Sequence, residues 1–290
     1  MDFETLTWDV DEDGVATLTL NRPEVLNAFN VPMARELERV FTVEAHEEGV
    51  RAVVVTGTGR AFCAGMDLTV DGNVFGLDES LAPTPEEFRA RYDQDPFQAG
   101  VRDTGGKVTL AINALPKPVI AAINGPAVGI GATMTLGMDI RLASTSARIG
   151  FVFGRIGIVP EACSSWFLPR IVGLPNALEL IYSADIITAD QAKEYGLVRS
   201  VHEPDELVAV ATELARSFVK NRSTVALGLA KQLIYRNAAA ADPLNAHLAD
   251  SLAMFHTSVG DGKEGVAAFL EKRDPRFTAT TADIPRIFAD

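Results

Sequence analysis

Apolar and polar residues alternate through "VATLTLN", residues 15–21, whereas "RAVVVTG", residues 51–57, is an almost unbroken apolar run. Alternation predicts a half-buried strand, and a short continuous run predicts a strand buried on both faces. Between them, "MARELERVFTVEAHEE" places Met33, Leu37, Val40 and Phe41 on one helical face, with Asn30 and Pro32 as start signals. "KPVIAAING", residues 117–125, predicts a second buried strand entering a glycine turn. "GIGATMTLGM" then predicts a helix packed on every side, and "DIRLAS" a returning strand.

The stretch 69–115 breaks this rhythm. Its Gly, Pro and Asp clusters and the polar "TPEEFRARYDQDP" read as a variable insertion over a surface or a pocket mouth. Beyond about residue 170 strand signals fade. "TADQAKEYG" sets Thr188 three residues before Gln191, a capping box, with Gly196 as a stop. Amphipathic patterns follow over 205–221, 224–237, 243–258 and 263–273. The expectation is an α/β body over 1–203 and a helical part over 204–290, divided near "HEPDE". No internal repeat of fixed period and no low-complexity tract is visible.

Charge narrows the partners. A formal net charge of −13 argues against nucleic-acid and anionic-membrane binding, both of which need a basic face. Local Lys and Arg can still hold the phosphates of a small anionic ligand. Cys63 and Cys163 lie in apolar settings without a disulfide pattern, and the N-terminus has no apolar leader, so a cytoplasmic protein is expected. His46, His202, His247 and His256 form no ligand spacing, so no metal is expected. The uncharged run 119–138 is long enough to span a bilayer, but Asn124, Pro126 and its glycines break it into strand, turn and helix.

Three features carry candidate chemistry. "FCAGMDL", 62–68, and "NGPAVGIGAT", 124–133, are glycine turns that each follow a strand, and together they could present a two-donor oxyanion hole. Either alone is more readily a plain tight turn. The third is Glu161 in "GIVPEACSSW", either a surface charge on a turn or an ionisable group placed in a pocket. Other site types fit poorly. "GTGRAF" lacks the third glycine of a dinucleotide turn, "GIGATM" has Met134 where that turn needs a small residue, no G-K-S/T phosphate loop occurs, and "ACSSW" lacks the G-x-S-x-G context.

Taken in order, "NRPEVLNAFN", "GRAFCAGMDL", "KPVIAAINGPAVGIGA", "GIVPEACSSWFLPRIVG", "TADQAKEYGLV" and "FLEKRDPRF" resemble the crotonase superfamily of enoyl-CoA hydratases and isomerases. These blocks cover nearly the whole chain apart from 69–115. The resemblance implies an α/β fold, a spiral of repeated ββα units, with a helical C-terminal region that serves oligomerisation and covers the CoA pocket. It implies a homotrimer or dimer of trimers, and an acyl-CoA substrate with no cofactor beyond the coenzyme A it carries. By the same resemblance, the thioester oxygen would rest between the backbone N–H groups of Met66 and Ile130. Val25, Leu26 and Ala28 would line the CoA groove beside Ala64, Asp67 and Leu68. Gly129 and Pro160 belong to the same binding surface, and Lys272, with Arg273, is where a contact to the CoA phosphates would be sought.

The hydratases of this superfamily use two glutamates, at positions that here carry Thr133 and Phe153. Neither can take a proton. Glu161, eight residues past Phe153, occupies a position that is acidic in some isomerases, and "PEACSSWFLP" resembles the block of Δ3,Δ2-enoyl-CoA isomerases. The resemblance therefore implies a double-bond shift from 3-enoyl- to 2-enoyl-CoA with Glu161 as the single acid/base. Hydration of a 2-enoyl-CoA is the alternative, and a non-catalytic acyl-CoA or partner-binding role a second one. Chain length, branching and pathway, fatty-acid oxidation or another, stay open at this level.

Overall fold

The computed structural model describes residues 3–69 and 71–289. Its larger sheet has the order β1(Leu6–Val10), β2(Val15–Leu20), β3(Ala52–Gly57), β4(Val119–Ile123), β6(Ile140–Ser144), β9(Ser200–His202). β1 is antiparallel to β2, and every later pairing in this sheet is parallel. Parallel central strands must be covered on both faces, and β3 and β4 are buried at every residue, as their apolar runs require. The smaller sheet is β5(Pro126–Val128), β7(Arg148–Gly150), β8(Ile186–Thr188).

The two sheets are joined by a repeated step. β4 turns at Asn124–Gly125 into β5 and then into the short helix α5(Ile130–Thr133), and β6 passes into β7 in the same way. The segment after β3 repeats the step once more, since Cys63 bridges to Ala127 in parallel. This is the spiral of ββα units that the resemblance implied.

Helices close both faces. α1(Val31–Thr42) buries Met33, Leu37, Val40 and Phe41, the face read from their spacing, and the Asn30 side chain caps it by accepting from Met33 N–H at 2.9 Å. α2(Pro85–Arg91) and α3(Phe97–Gly100) are short. α4(Thr104–Ala114), α6(Ser164–Val172) and α7(Leu174–Ser183) join α1 in the main core. α8(Ala189–Glu194) starts at the Thr188–Gln191 capping box. α9(Leu207–Val219) buries Leu207, Ala211, Ala215 and Val219 against Val54, Ile120 and Leu142 on the other face of the large sheet. α10(Thr224–Asn237), α11(Pro243–Val259) and α12(Asp261–Glu271) follow, and a small separate cluster ties Val225, Leu229 and Ala253 to Ile287.

The elements depart from the sequence pattern at several points. α9 lies past the expected 203/204 division and packs on the large sheet. The stretch 69–115 is not insertion throughout, since Val108 and Ile112 of α4 are fully buried. The helix read from "GIGATMTLGM" lasts only four residues before tightening into a 3₁₀ turn at Met134–Gly137. Strands β1, β8 and β9 lie in segments too short or too polar to carry a clear period. Among the described residues no helix is long and apolar enough to cross a membrane, and the uncharged run 119–138 is divided among β4, β5, α5 and the turn after it.

One buried cation holds the β6 end of the core. Arg141 donates through Nε to Leu197 O (2.8 Å) and through one terminal nitrogen to Thr135 O (3.1 Å) and Met138 O (2.7 Å). Arg141→Leu would take the Arg141 donor from Leu197 O and Met138 O and leave Thr135 O only Met138 N–H. A loss of about 3 kcal/mol or more is expected, read as a lower urea midpoint at unchanged slope.

Candidate active site

The two glycine turns are fastened to each other by backbone bonds. Phe62 and Cys63 N–H both donate to Pro126 O (3.1 and 3.0 Å), and Val128 N–H returns to Cys63 O at 3.0 Å. Asn124 secures the corner, accepting from Gly57 N–H at 3.1 Å and donating to Gly59 O at 3.1 Å. Gly131 lies so close beneath that an added Cβ would fall on the Cys63 carbonyl oxygen. Both turns open onto one cavity of about 520 Å³, mostly apolar, which Met66 and Ile130 help to line. Among the described residues, neither the Met66 nor the Ile130 backbone N–H donates to a protein acceptor. Two donors left free at a cavity wall are the arrangement an oxyanion needs.

Glu161 lies in the same cavity. It follows Pro160 and precedes Ala162 and Cys163, both left-handed (φ 52° and 57°) although neither is glycine. This turn brings Ser164 N–H onto Glu161 O at 2.9 Å and starts α6. The Thr133 hydroxyl donates to Glu161 Oε1 at 2.5 Å. The other carboxylate oxygen packs on Gly105, where an added Cβ would come within 2.5 Å of it. Burial pushes the Glu161 carboxyl up to about 8, the negative charge of Asp103 adds to the rise, and the Thr133 bond opposes it. The neighbouring Cys63 thiol, fully buried, is pushed up to about 12 chiefly by burial.

Asp103 and Gly105 escaped the sequence reading, which had placed them in an insertion. The signal was present, because Asp103 followed by "TGGK" is an N-cap pattern ahead of a helix. Asp103 Oδ1 accepts from Gly105 N–H (2.9 Å), and Oδ2 accepts from Gly106 N–H (2.9 Å) and Ala162 N–H (2.7 Å). Phe75, Leu77 and Val101 from the same stretch also line the cavity.

The other expected site residues divide. Ala64, Leu68, Gly129 and Phe153 line the cavity, and Phe153 is buried there as an apolar wall. Thr133 reaches it through its bond to Glu161. Val25, Leu26 and Ala28 stand outside the cavity lining but are tied to it, with Ala64 N–H donating to Leu26 O at 3.1 Å. Asp67 is occupied by Arg22, paired at 2.9 Å, and by the Thr69 hydroxyl at 2.6 Å. Lys272 caps α12 in a left-handed conformation and is exposed, away from this chain's cavity. Arg273 is committed to Glu264 and Glu271.

The family profile described as enoyl-CoA hydratase/isomerase matches residues 11–280. An enoyl-CoA hydratase of Alternaria alternata is 38% identical over 93% of this chain and 85% of its own length. The 1,2-epoxyphenylacetyl-CoA isomerase of Escherichia coli is 37% identical over 92% of this chain and 96% of its own. Among solved structures, an enoyl-CoA hydratase from Bacillus anthracis superposes with a TM-score of 0.78 at 32% identity, covering 94% of this chain and 99% of that one.

Proposed function

The chain belongs to the enoyl-CoA hydratase/isomerase family of acyl-CoA enzymes, and from that premise we propose that it moves the double bond of a 3-enoyl-CoA to the conjugated 2-enoyl position. The observation that carries this reading is one carboxyl, Glu161, held only by the Thr133 hydroxyl and sharing an apolar cavity with two undonated backbone N–H groups. Asp103 is the other carboxylate at the cavity, but three backbone N–H donors occupy its oxygens. Thr133 and Phe153 supply no second acid or base.

The chemistry fits one carboxylate. Ionised Glu161 takes a proton from C2 of the thioester, and the electrons move into a dienolate whose charge gathers on the thioester oxygen. The Met66 and Ile130 N–H groups stabilise that oxygen. The carboxyl then returns its proton at C4, which restores the base and leaves the conjugated product. Two features serve this cycle: the cavity wall keeps water sparse, and the raised proton affinity makes Glu161 a stronger base once ionised. Coenzyme A enters as part of the substrate.

Hydration of a 2-enoyl-CoA is the second reading, favoured by the name of the Alternaria relative. Pure protein given a 3-enoyl-CoA and, separately, a 2-enoyl-CoA separates the two through the conjugated-thioester absorbance. Growth of absorbance from the 3-enoyl substrate is expected. Consumption of the 2-enoyl substrate without any conjugation of the other would overturn the isomerase reading. Because Glu161 must be ionised to act, kcat/KM is expected to rise with pH through a midpoint near 8.

A further inference from the structure

We propose that Asp103 is a positioning residue of this site: its carboxylate fastens the left-handed turn behind Glu161 to the first turn of α4, and so fixes where the Glu161 carboxyl stands. The inference rests on the isomerase reading for its kinetic consequences but not for its geometry.

The geometry is a three-way clamp. One oxygen of Asp103 takes Gly105 N–H, and the other takes both Gly106 N–H and Ala162 N–H. Two of these are the orphan donors of a helix start, which any Asp at an N-cap would satisfy. The third belongs to another part of the chain, 59 residues away, immediately after the acid. Ala162 is fully buried, so without Asp103 its N–H would have no acceptor in a place water cannot supply. Ala162 and Cys163 are consecutive non-glycine residues in the left-handed region, a conformation that persists only where its surroundings enforce it. The clamp provides that enforcement on one side, and Thr133 holds the carboxyl from the other.

The same arrangement makes Gly105 part of the device. It brings the N-terminus of α4 against Glu161 Oε2 with no side chain between them. It also holds a fixed negative charge beside an acid that must itself become negative. The other titratable groups coupled to this locus are the Cys63 and Cys163 thiols, which the Glu161 charge pushes up and the Arg22 and Arg102 guanidiniums respectively pull down. Asp103 thus orients Glu161 and at the same time resists its ionisation.

The test compares two substitutions in the full-length protein. Asp103→Ala removes the clamp and the charge, whereas Asp103→Asn keeps the shape but loses the charge and one acceptor. With a 3-enoyl-CoA, Asp103→Ala is expected to lower kcat about 10–100-fold with KM nearly unchanged. Asp103→Asn should recover part of that rate and move the acid limb of the kcat/KM profile down by roughly one pH unit. A purely structural cap would lower Tm in both variants and leave the limb in place, and that outcome overturns the proposal.

Carbon-13 NMR titration of side-chain carboxyls, with Glu161→Gln used to assign the resonance, follows Glu161 without any substrate. If the midpoint falls in Asp103→Asn while even the wild-type protein fails to turn over the 3-enoyl-CoA, the positioning stands and the reaction assignment fails. An unmoved midpoint in a folded Asp103→Asn protein overturns the positioning, whatever the reaction. Should Asp103→Ala not fold, the Asn variant and the titration decide alone.

Discussion

Glu161→Gln is expected to lower kcat toward a 3-enoyl-CoA by about 10²–10⁴-fold while leaving KM within a few-fold. Gln keeps the size of the side chain and can still accept from the Thr133 hydroxyl, so the pocket retains its shape. It cannot take a proton from C2. The oxyanion donors are backbone groups and remain, which is why a residue of activity above the uncatalysed rate should survive. A variant with wild-type turnover would show that the proton passes through another group.

The same substitution carries a stability signature of definite sign. The folded protein holds the Glu161 proton up to about pH 8, whereas a free glutamate releases it near 4.5. Between those values the folded state binds more protons than the unfolded one, so stability falls as pH rises. Below the window both states are protonated and the penalty is absent. Above it the penalty is complete, on the order of 5 kcal/mol. Glu161→Gln removes this term. It should therefore match the wild-type protein in stability near pH 4 and exceed it at pH 9, a difference measurable by urea unfolding at the two pH values. Lower activity together with higher alkaline stability is the trade-off of a group placed for chemistry and against folding.

Gly131→Ala is expected to have the second large effect, through the spacing of the two turns. The new methyl would overlap the Cys63 carbonyl oxygen, which already accepts from Val128 N–H and cannot move without breaking that bond. Because the obstacle is backbone, relief must come from separating the turns. On the proposed mechanism, the Met66 and Ile130 N–H groups would then no longer act together on the thioester oxygen. Losing a single such donor typically lowers turnover about 10²–10³-fold, and a loss in that range is expected here. The overlap should also lower stability by about 1–3 kcal/mol or more. Full activity in a folded Gly131→Ala protein would mean that these N–H groups do not hold the thioester oxygen.

Where single-strand and single-helix physics decides the outcome, the chain could be read directly. β3 and β4 are continuous apolar runs because both faces are covered, and the α1 stripe from Met33 to Phe41 is the one that packs. The Thr188 capping box is local chemistry and is visible as such. Three-residue strands such as β8 and β9 have no period to detect, because their pairing comes from tertiary neighbours. The glycine turns were visible as turns, but their fastening through Pro126, Cys63 and Val128 depends on chain segments some sixty residues apart. Glu161 stood out from its proline and apolar surroundings. Asp103 did not, since its bond to Ala162 spans 59 residues and its local N-cap pattern lies at the end of a stretch of Gly, Pro and Asp clusters.

The repeated strand-to-strand step has a consequence for how such an enzyme changes its reaction. Met66 and Ile130 come from two successive turns of that spiral, so the two backbone N–H groups proposed to hold the thioester oxygen belong to the scaffold itself. Glu161, the proposed base, stands instead in the turn ahead of α6, where the Thr133 hydroxyl donates to it. On the proposed reading, a change of acid in that turn alters the proton chemistry and leaves the two backbone N–H groups where the spiral sets them.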